Sequence, residues 1–471
     1  MTSIALAPDL QTSAHSVSAE MLARFDIAGP RYTSYPTADR FVEAFDASAH
    51  AAWLGKRDIG GFARPLSLYV HLPFCASICY YCVCNKVITR DRSRSQKYLR
   101  YLEKEIRMLV GHLSGSRRVT QMHWGGGTPT FLADEEMADL MRMLRGHFDF
   151  DDAGEYAIEV DPRSVNTATI NLLARLGLNR MSIGVQDFDP AVQRAVNRIQ
   201  PFEMTEAVLR DARAAGFKSI NFDLIYGLPK QTANSFRTTL EQVIELAPDR
   251  IALYGYAHLP DRFKPQRRIH DADLPDADEK LAIFLLAVRH LTGAGYVYIG
   301  LDHFARPGDE LALGLKSGRL HRNFQGYTTQ SECDLLAIGV SSISKIGPIY
   351  SQNARTLDEY YDCLDQQRLP VARGIELTAD DLARRTVIMA LICQGEVSME
   401  SISIAHLIDF EAYFAEELAQ LEEFVTAGLV TIEGGGISVT PKGRFFLRAI
   451  AMVFDRYLKA DRARQHYSKI I

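Results

Sequence analysis

The feature that most constrains the fold of this chain is a regular alternation of short apolar runs with longer amphipathic segments between residues 66 and 301. In the longer segments apolar residues recur every three to four positions, as Leu99, Leu102, Ile106 and Leu109 do. Strands that alternate with helices in this way form parallel βαβ units. The predicted strands are residues 66–72, 119–124, 156–160, 180–185, 219–225, 250–256 and 296–301, and the predicted helices are residues 95–110, 134–145, 168–176, 202–215, 235–246 and 277–292.

Six or more such units in succession indicate a full or partial (β/α) barrel, with a doubly wound open sheet as the alternative. Residues 1–60 precede the alternation, and their turn formers and aromatic residues predict an arm that lies over the barrel. We therefore predict an arm at residues 1–60, a barrel-like domain at residues 61–370 and a further small domain at residues 371–471.

The C-terminal region has a different texture from the barrel-like region. Residues 379–391 and 410–427 predict helices, and residues 429–432 and 437–440 flank three glycines as the strands of a β-hairpin do. Together they predict a mostly helical, winged-helix-like unit. Neither the helices nor the hairpin is densely basic, so we expect a packing role and no nucleic-acid binding.

Composition excludes several classes of protein. The 471 residues are 47% hydrophobic and 24% charged, which argues against disorder, and 53 Lys and Arg against 58 Asp and Glu give a net charge of −5, which argues against a polycationic coat for nucleic acid. Residues 65–85 carry no charged side chain, but Pro73 and His71 make this segment a poor membrane span. Residues 1–11 lack the pattern of a signal peptide. We expect a soluble, cytoplasmic protein.

Four of the seven cysteines, Cys75, Cys79, Cys82 and Cys84, fall within ten residues directly after the first predicted strand. Thiolates are ligands for zinc and for iron–sulfur clusters. A structural zinc site usually combines two CxxC-like pairs of ligands separated by a dozen or more residues, and the second pair is missing here. The spacings of four and three therefore favour a [4Fe–4S] cluster held by three cysteines, whose remaining iron is open to the amine and carboxylate of a ligand. The remaining cysteines, Cys333, Cys363 and Cys393, are predicted to be small core residues.

Cys84 complicates this interpretation, because a fourth ligand would close the cluster and make an electron carrier. We expect the side chains of Cys82 and Cys84 to point to opposite faces of the loop. The predicted ligands are therefore Cys75, Cys79 and Cys82, and the alternative is a chance clustering of buried cysteines.

Further candidates stand at or just after the later predicted strands. Glycines 125–127 and Thr128 follow the second strand, where a ligand can approach the backbone, although a tight turn alone would explain them. Glu159, Gln186 and Asp223 lie where barrel enzymes collect functional groups, although ordinary hydrogen bonding is the alternative for each.

The CxxxCxxC spacing is that of the radical S-adenosylmethionine (SAM) enzymes, and longer segments resemble the oxygen-independent coproporphyrinogen III oxidases. The resemblance runs from about residue 25 to the C-terminus. The matching segments are GPRYTSYPTA (29–38), LYVHLPFC (68–75), CVCNKVITR (82–90), HWGGGTPT (123–130), IEVDPR (158–163), GVQDF (184–188), DLIYGLPKQT (223–232), YAHLP (256–260) and HRNFQGYTT (321–329). Two departures are Val83, where members often carry Gly, and Tyr81, where Phe is common.

The resemblance implies a radical SAM partial (β/α) barrel that binds a [4Fe–4S] cluster and two SAM molecules. The implied reaction cleaves SAM to a 5′-deoxyadenosyl radical and converts two propionates of coproporphyrinogen III to the vinyl groups of protoporphyrinogen IX. It also implies a monomer that receives single electrons from a donor such as reduced flavodoxin or ferredoxin.

The resemblance also assigns roles to single residues. The implied SAM-binding residues are Tyr69, Tyr81, Gly126, Gly127, Thr128, Glu159, Gln186, Arg198, Asp223, Ala257 and Ile343. The implied catalytic positions are His71, Phe324, Gln325 and Cys84. Arg31 and Arg322 lie inside matching segments and are candidate partners for substrate carboxylates, without assignment to a particular propionate.

Three rival functions remain open from the sequence. A haem chaperone shares the radical SAM core. It lacks the N-terminal arm with GPRYTSYPT and the CxC pattern that ends the cysteine cluster, and both are present here, the latter as Cys82 and Cys84. A ring-opening tetrapyrrole methyltransferase would make a different product. A simple electron carrier would use all four cysteines as ligands.

Overall fold

The computed structural model describes residues 19–58, 64–330 and 333–460, and its centre is a sheet of twelve strands. Six parallel strands stand side by side in chain order, without the reversal of a doubly wound sheet. The structure therefore confirms a partial (β/α) barrel and excludes the doubly wound alternative. The six barrel strands are Leu66–Leu72, Arg118–Gly126, Asp149–Val160, Arg180–Gln186, Ser219–Tyr226 and Arg250–Gly255.

Helices on the outside of the barrel connect these strands, close to the predicted bounds. The helix Ala233–Leu246, for example, begins after Thr232, whose hydroxyl accepts a hydrogen bond from the Ser235 amide, and ends at Ala247 in the left-handed conformation. None of the helices in the described ranges combines the length and apolarity of a membrane span. The main helices of the barrel are Ser93–His112, Asp134–His147, Thr167–Arg175, Phe202–Ala214, Ala233–Leu246 and Ala277–Gly293.

Side chains alternate strictly across the barrel strands. In Arg180–Gln186 the apolar Met181, Ile183 and Val185 are buried against the helices, while the residues between them line the inside. Successive side chains of a strand point to opposite faces, so one strand supplies both a core and a polar lumen. Each buried apolar side chain contributes about 1.5–3 kcal/mol to folding.

The seventh predicted strand, residues 296–301, runs parallel to the barrel strands but does not pair with the sixth. Val297–Gly300 is followed by a turn at Leu301, and the return strand His303–Ala305 lies between it and Arg250–Gly255, antiparallel to both. The apolar run correctly indicated a buried strand, but the inserted return strand was not predicted.

The other side of the sheet is extended by strands from later in the chain. Asp334–Ile338 pairs parallel with the first barrel strand, Leu66–Leu72. Ile343–Ile346, Ile349–Asn353 and Val371–Glu376 follow as antiparallel strands. The barrel is thus left open between its two edges.

The C-terminal region packs the helix Ala379–Gln394 against Leu447–Met452, beside a small three-stranded sheet. The sequence predicts one continuous helix over residues 410–427, and this is wrong: the structure has two helices, Phe410–Tyr413 and Ala415–Thr426. The break lies at Phe414, whose ring is fully buried between Phe410 and Phe454. The three strands are Glu396–Ser398, Val430–Glu433 and Gly436–Val439.

The described part of the N-terminal arm contacts both the barrel and the C-terminal region. The Tyr32 hydroxyl donates a hydrogen bond to Asp455 at 2.9 Å, and Arg31 forms an ion pair of 2.9 Å with Asp302 at the edge of the barrel. The guanidinium of Arg448 donates to backbone carbonyls of residues 29 and 30. These contacts fix the arm across two parts of the fold.

Arg57 joins the arm to the sheet through a fully buried ion pair. Its Nε lies 2.9 Å from an Asp334 carboxylate oxygen, and its other nitrogens donate to the carbonyls of Arg64, Ser114 and Ser116. The side chains of Arg57 and Asp334 are only 1% and 5% exposed. Removing one partner of such a pair leaves the other charge buried and uncompensated.

We expect Arg57→Ala to destabilise the protein by about 3–5 kcal/mol, because Asp334 would remain charged in the interior. The matched control is Arg142→Ala, which breaks the exposed Arg142–Asp139 pair and should cost less than about 1 kcal/mol. Urea unfolding followed by circular dichroism measures both. Equal midpoints for the two variants would contradict a structural role of the buried pair.

Candidate active site

A cavity of about 410 Å³ runs inside the barrel and opens beside the cysteine loop. Its volume lies in the usual range of about 300–1,000 Å³ for small-molecule sites. The lining is rich in polar side chains from the inner face of the strands. The lining includes Cys75, Cys79, Cys82, Cys84, Tyr81, Thr128, Glu159, Gln186, Arg198, Asp223, Tyr254, His303, Gln325 and Tyr327.

The cysteine loop is closed by a short parallel ladder between Phe74–Cys75 and Val87–Ile88. The Thr89 amide donates to the Cys75 carbonyl at 2.9 Å and so completes the closure. Within the loop, the Tyr80 amide donates to the carbonyl of Val196 at 3.0 Å. The loop is therefore held at its base and at its middle.

Two thiols of the loop meet specific polar partners. The Thr128 hydroxyl lies 3.4 Å from the Cys75 sulfur, and burial raises the pKa of the Cys75 thiol to about 11. The guanidinium groups of Arg198 and Arg163 lie 3.6 Å and 3.7 Å from the Cys79 sulfur. Two positive charges therefore lie beside the Cys79 sulfur.

The expectation that Cys82 and Cys84 point to opposite faces is wrong. Residues two apart in an extended segment share a face, and here the two side chains form a hydrogen bond and line the same cavity. The Cys84 contact and the nearby Lys86 ammonium lower the pKa of Cys82. Position alone therefore does not separate Cys84 from the three predicted ligands.

The donor set fits an iron–sulfur cluster better than a single ion. Within the described ranges, no three His, Cys, Asp or Glu side chains converge closely enough to hold one metal ion. The thiols of Cys75, Cys79 and Cys82 nevertheless line one cavity from one loop. In a [4Fe–4S] cluster each cysteine binds a separate iron, so sulfurs spread around a common space suit it.

The glycine run is required by the packing of the chain itself. A Cβ on Gly126 would lie 2.5 Å from the His71 ring, and one on Gly127 would lie 2.6 Å from the Pro73 backbone. The amides of Gly127 and Thr128 donate to the carbonyls of Leu72 and Phe74. These amides are occupied, so any ligand here must use the other polar groups of the run.

Glu159 connects the second and third barrel strands. Its carboxylate accepts hydrogen bonds from His123 Nε2 at 3.0 Å and from the Gly126 amide at 3.2 Å. Burial opposes the charge, but these bonds hold the pKa of Glu159 below its usual value. A charged carboxylate thus lies at the cavity wall beside the glycine run.

Asp223, Gln186 and Arg198 reach the cavity from later elements. Asp223 accepts hydrogen bonds from Ser182 and Asn221, and burial raises its pKa to about 6. Gln186, the last residue of its strand, has a φ of +65°, a strained backbone conformation for a residue other than glycine. The Arg198 guanidinium is held by Asp161 at 3.1 Å.

His71 is fixed by hydrogen bonds at both ring nitrogens. Nε2 lies 3.0 Å from the Asn85 carbonyl, so it carries the proton, and Nδ1 accepts from the Tyr69 hydroxyl at 3.1 Å. Burial lowers the pKa of His71, which agrees with a neutral ring. His71 therefore ties the end of the cysteine loop to the first barrel strand, and Tyr69 stacks on His123.

The remaining predicted positions lie at the cavity or near it. Gln325 lines the cavity, and its neighbour Phe324 packs edge-on against Tyr350 at 5.8 Å, in a cluster that includes Ile343. Ala257 is outside the lining, but its carbonyl shares the Gln266 amide with the Tyr81 carbonyl at 3.1 Å. The structure thus brings most predicted residues together at the cavity, while Tyr69, His71, Ala257, Phe324 and Ile343 lie outside its lining.

Sequence reasoning missed several residues of the site. His123 and Asp161 each hold a predicted residue in place, and Tyr254 and His303 form the far wall. The signal was available in part, because polar residues alternate with apolar ones through strands 180–186 and 219–226. His303 carries no such signal, since its strand spans three residues.

Comparison with known proteins agrees with this site. Residues 69–243 match the Radical SAM superfamily, and residues 377–446 match the HemN C-terminal domain. The chain is 50% identical over 458 residues to the oxygen-independent coproporphyrinogen III oxidase of Pseudomonas aeruginosa, with 96% of this chain and 98% of the relative covered. It is 48% identical over 451 residues to the Escherichia coli protein of that name, with the same coverage.

A solved structure, that of coproporphyrinogen III oxidase (HemN) from Escherichia coli, a radical SAM enzyme, superimposes with a TM-score of 0.88 at 49% identity, covering 91% of this chain and 98% of the other. The fold class inferred from the resemblance is thereby confirmed. With half of its residues identical over nearly its full length, the chain belongs to the oxygen-independent coproporphyrinogen III oxidase family of the radical SAM superfamily.

Proposed function

We propose that this protein decarboxylates coproporphyrinogen III to protoporphyrinogen IX without oxygen, in porphyrin biosynthesis. One observation carries the proposal: the cysteine loop, the glycine run and the Glu159 carboxylate meet in a single cavity within a barrel. A radical SAM enzyme needs this set, because it must hold a cluster and SAM side by side. The substrate is the one in the names of the relatives, and the product is the one that the resemblance of the sequence implies.

Cys75, Cys79 and Cys82 would hold the [4Fe–4S] cluster, and Arg163 and Arg198 would offset the thiolate charge at Cys79. When bound and reduced, the cluster supplies the electron that cleaves SAM, and the radical chemistry that follows removes a hydrogen atom from a substrate propionate. The chain itself positions these groups side by side in one cavity.

Gly126, Gly127, Thr128 and Glu159 would bind the SAM at the open iron. Since the amides of residues 126–128 are already bonded within the chain, the backbone carbonyls and the Glu159 carboxylate are the groups left for an ammonium ion. The further SAM-binding residues, including those for a second molecule, would be Tyr69, Tyr81, Gln186, Arg198, Asp223, Ala257 and Ile343.

The catalytic positions would be His71, Phe324, Gln325 and Cys84. His71 acts through position, because both ring nitrogens are engaged and the Asn85 contact sets the end of the cysteine loop. Gln325 presents its amide to the cavity. Cys84 shares the cavity and contacts Cys82, so its part in the reaction is separable from cluster binding by substitution.

The wider arrangement is proposed on the same basis. Residues 1–60 would form the arm, 61–370 the catalytic domain and 371–471 the C-terminal domain. The protein would act as a cytoplasmic monomer that takes single electrons from reduced flavodoxin or ferredoxin and binds no nucleic acid.

The decisive assay is anaerobic turnover of the reconstituted protein with reductant, SAM and coproporphyrinogen III. We expect two decarboxylations per substrate, with 5′-deoxyadenosine formed in proportion. SAM cleavage without decarboxylation would refute the proposed substrate. An intact cluster with neither product, together with haem that transfers to an acceptor protein, would favour the chaperone instead.

Cysteine variants test the ligand set. We expect Cys75→Ser, Cys79→Ser and Cys82→Ser each to lose the [4Fe–4S] signal in iron analysis and electron paramagnetic resonance after anaerobic reconstitution, because each removes one iron ligand. Cys84→Ser should keep the cluster and SAM cleavage while losing decarboxylation, and Cys363→Ser is the control. Loss of the cluster in Cys84→Ser would refute the three-ligand assignment.

Glu159→Gln tests SAM binding. The amide would place its own N–H group against one of the two groups that now donate to Glu159, His123 Nε2 and the Gly126 amide. It would also remove the negative charge that Glu159 offers to the SAM ammonium group. We expect the Kd for SAM to rise about 10-fold or more, which corresponds to about 1.4 kcal/mol. Equilibrium dialysis on the reconstituted protein measures it, with the exposed Glu135→Gln as control. An unchanged Kd would remove Glu159 from the site.

A further inference from the structure

Beyond the cofactor site, a buried cation without hydrogen-bond partners at two of its nitrogens packs on Tyr327, a residue of the cavity lining. Arg322 is 8% exposed, and its Nε and Nη1 atoms are buried with no hydrogen-bond partner among the described residues. A buried guanidinium without partners costs free energy, so a chain that keeps one requires a reason. A ligand that brings its own negative charge supplies that reason.

The hairpin of His321–Asn323 and Gly326–Thr328 sets the direction of this side chain. Arg322 pairs directly with Tyr327 across the hairpin, so the two side chains share a face. The guanidinium carbon lies 4.7 Å from the centre of the Tyr327 ring, and Tyr327 lines the cavity. Arg322 therefore lies on the cavity side of the hairpin.

The carboxylate in this neighbourhood, Asp302, acts on His303 and Tyr327 as Arg322 does, but it already forms the ion pair with Arg31. His303 meets the Tyr327 ring edge-on at 5.2 Å, and burial together with the charge of Arg322 lowers the pKa of His303 to about 3. The imidazole is thus neutral, and its Nδ1 is also buried without a partner. Two unpaired polar groups from different strands therefore meet at one part of the cavity wall.

Arg31 is not an equivalent cation. Its guanidinium forms the ion pair with Asp302 and also donates to the Gly255 carbonyl at 3.2 Å. Its charge is already neutralised by the chain. Of these two candidate arginines, Arg322 alone has buried nitrogens without a hydrogen-bond partner among the described residues.

We propose that Arg322, with His303 beside it, binds a propionate carboxylate that the substrate retains through the reaction. This proposal rests on the proposed function, which supplies a ligand with four carboxylates. A guanidinium fixed on the reacting carboxylate would stabilise the ground state, because that carboxylate loses its charge as carbon dioxide leaves. A retained propionate carries no such penalty, and its binding would orient the ring beside Gln325, three residues along the hairpin.

The test compares porphyrin binding by wild-type and Arg322→Met holoprotein under anaerobic conditions, followed by fluorescence quenching. The probes are coproporphyrin III, protoporphyrin IX and the tetramethyl ester of coproporphyrin III. We expect the variant to bind both free acids at least about 10-fold more weakly, because the product also carries the retained carboxylates. The ester should bind wild type and variant alike, and Arg322→Lys should recover part of the affinity.

Three results would overturn the proposal. Unchanged affinity for both free acids would show that Arg322 binds no carboxylate, and a loss confined to coproporphyrin III would assign it to a reacting propionate. A weaker Kd for SAM with unchanged porphyrin binding would identify the anion as the SAM carboxylate. None of these depends on turnover, so a failure of the proposed reaction in wild type remains a separate result.

Stability distinguishes a binding role from a structural one. Because the buried Nε and Nη1 atoms of Arg322 form no hydrogen bond in the empty protein, and methionine can also pack on the Tyr327 ring, we expect the melting temperature of Arg322→Met without ligand to stay within about 3 °C of wild type. Arg145→Met, which removes a guanidinium stacked on Phe150 away from the cavity, is the matched control for both measurements. A large loss of stability in Arg322→Met alone would overturn the binding role.

Discussion

The whole site depends on the alternation of side chains along the parallel strands. Because one face of each strand is packed against helices, every second residue must enter the lumen, and in this chain those residues are polar. Polar groups enclosed in this way require partners. Pairs such as Arg250 with Asp309 and Glu159 with His123 supply them across neighbouring elements. The same bonds that make the polar lumen tolerable also fix the angles at which its groups face a ligand.

Local pattern was sufficient to predict most of the fold and the centre of the site. The six barrel strands follow from runs of apolar residues, and the cysteine loop and glycine run follow from residue type and spacing. The return strand His303–Ala305, which lies between the sixth strand and Val297–Gly300, was beyond this information, because it depends on the turn at Leu301 and spans only three residues. The break at Phe414 likewise depends on a tertiary aromatic contact with Phe454, forty residues away.

Residues that act in pairs were the least predictable part of the site. Asp161 holds Arg198 across thirty-seven positions, and the pairing of Arg57 with Asp334 spans most of the barrel. In the sequence, none of these charged residues can be recognised as buried, since most charged side chains are exposed to solvent. The prediction that Cys82 and Cys84 point to opposite faces was wrong for another reason. Side chains alternate between neighbouring residues of an extended segment, so residues two apart share a face, and these two side chains are in contact.

The ladder that closes the cysteine loop has a consequence for how the enzyme is assembled. Phe74–Cys75 and Val87–Ile88 bring the two ends of the loop together by backbone bonds alone, so the chain leaves the barrel and rejoins it at nearly the same place. These bonds involve no thiol, so none of them requires a metal ligand, in contrast to small zinc domains whose fold depends on the metal. A thiol of the loop can therefore gain or lose a ligand without breaking any bond that holds the ends of the loop.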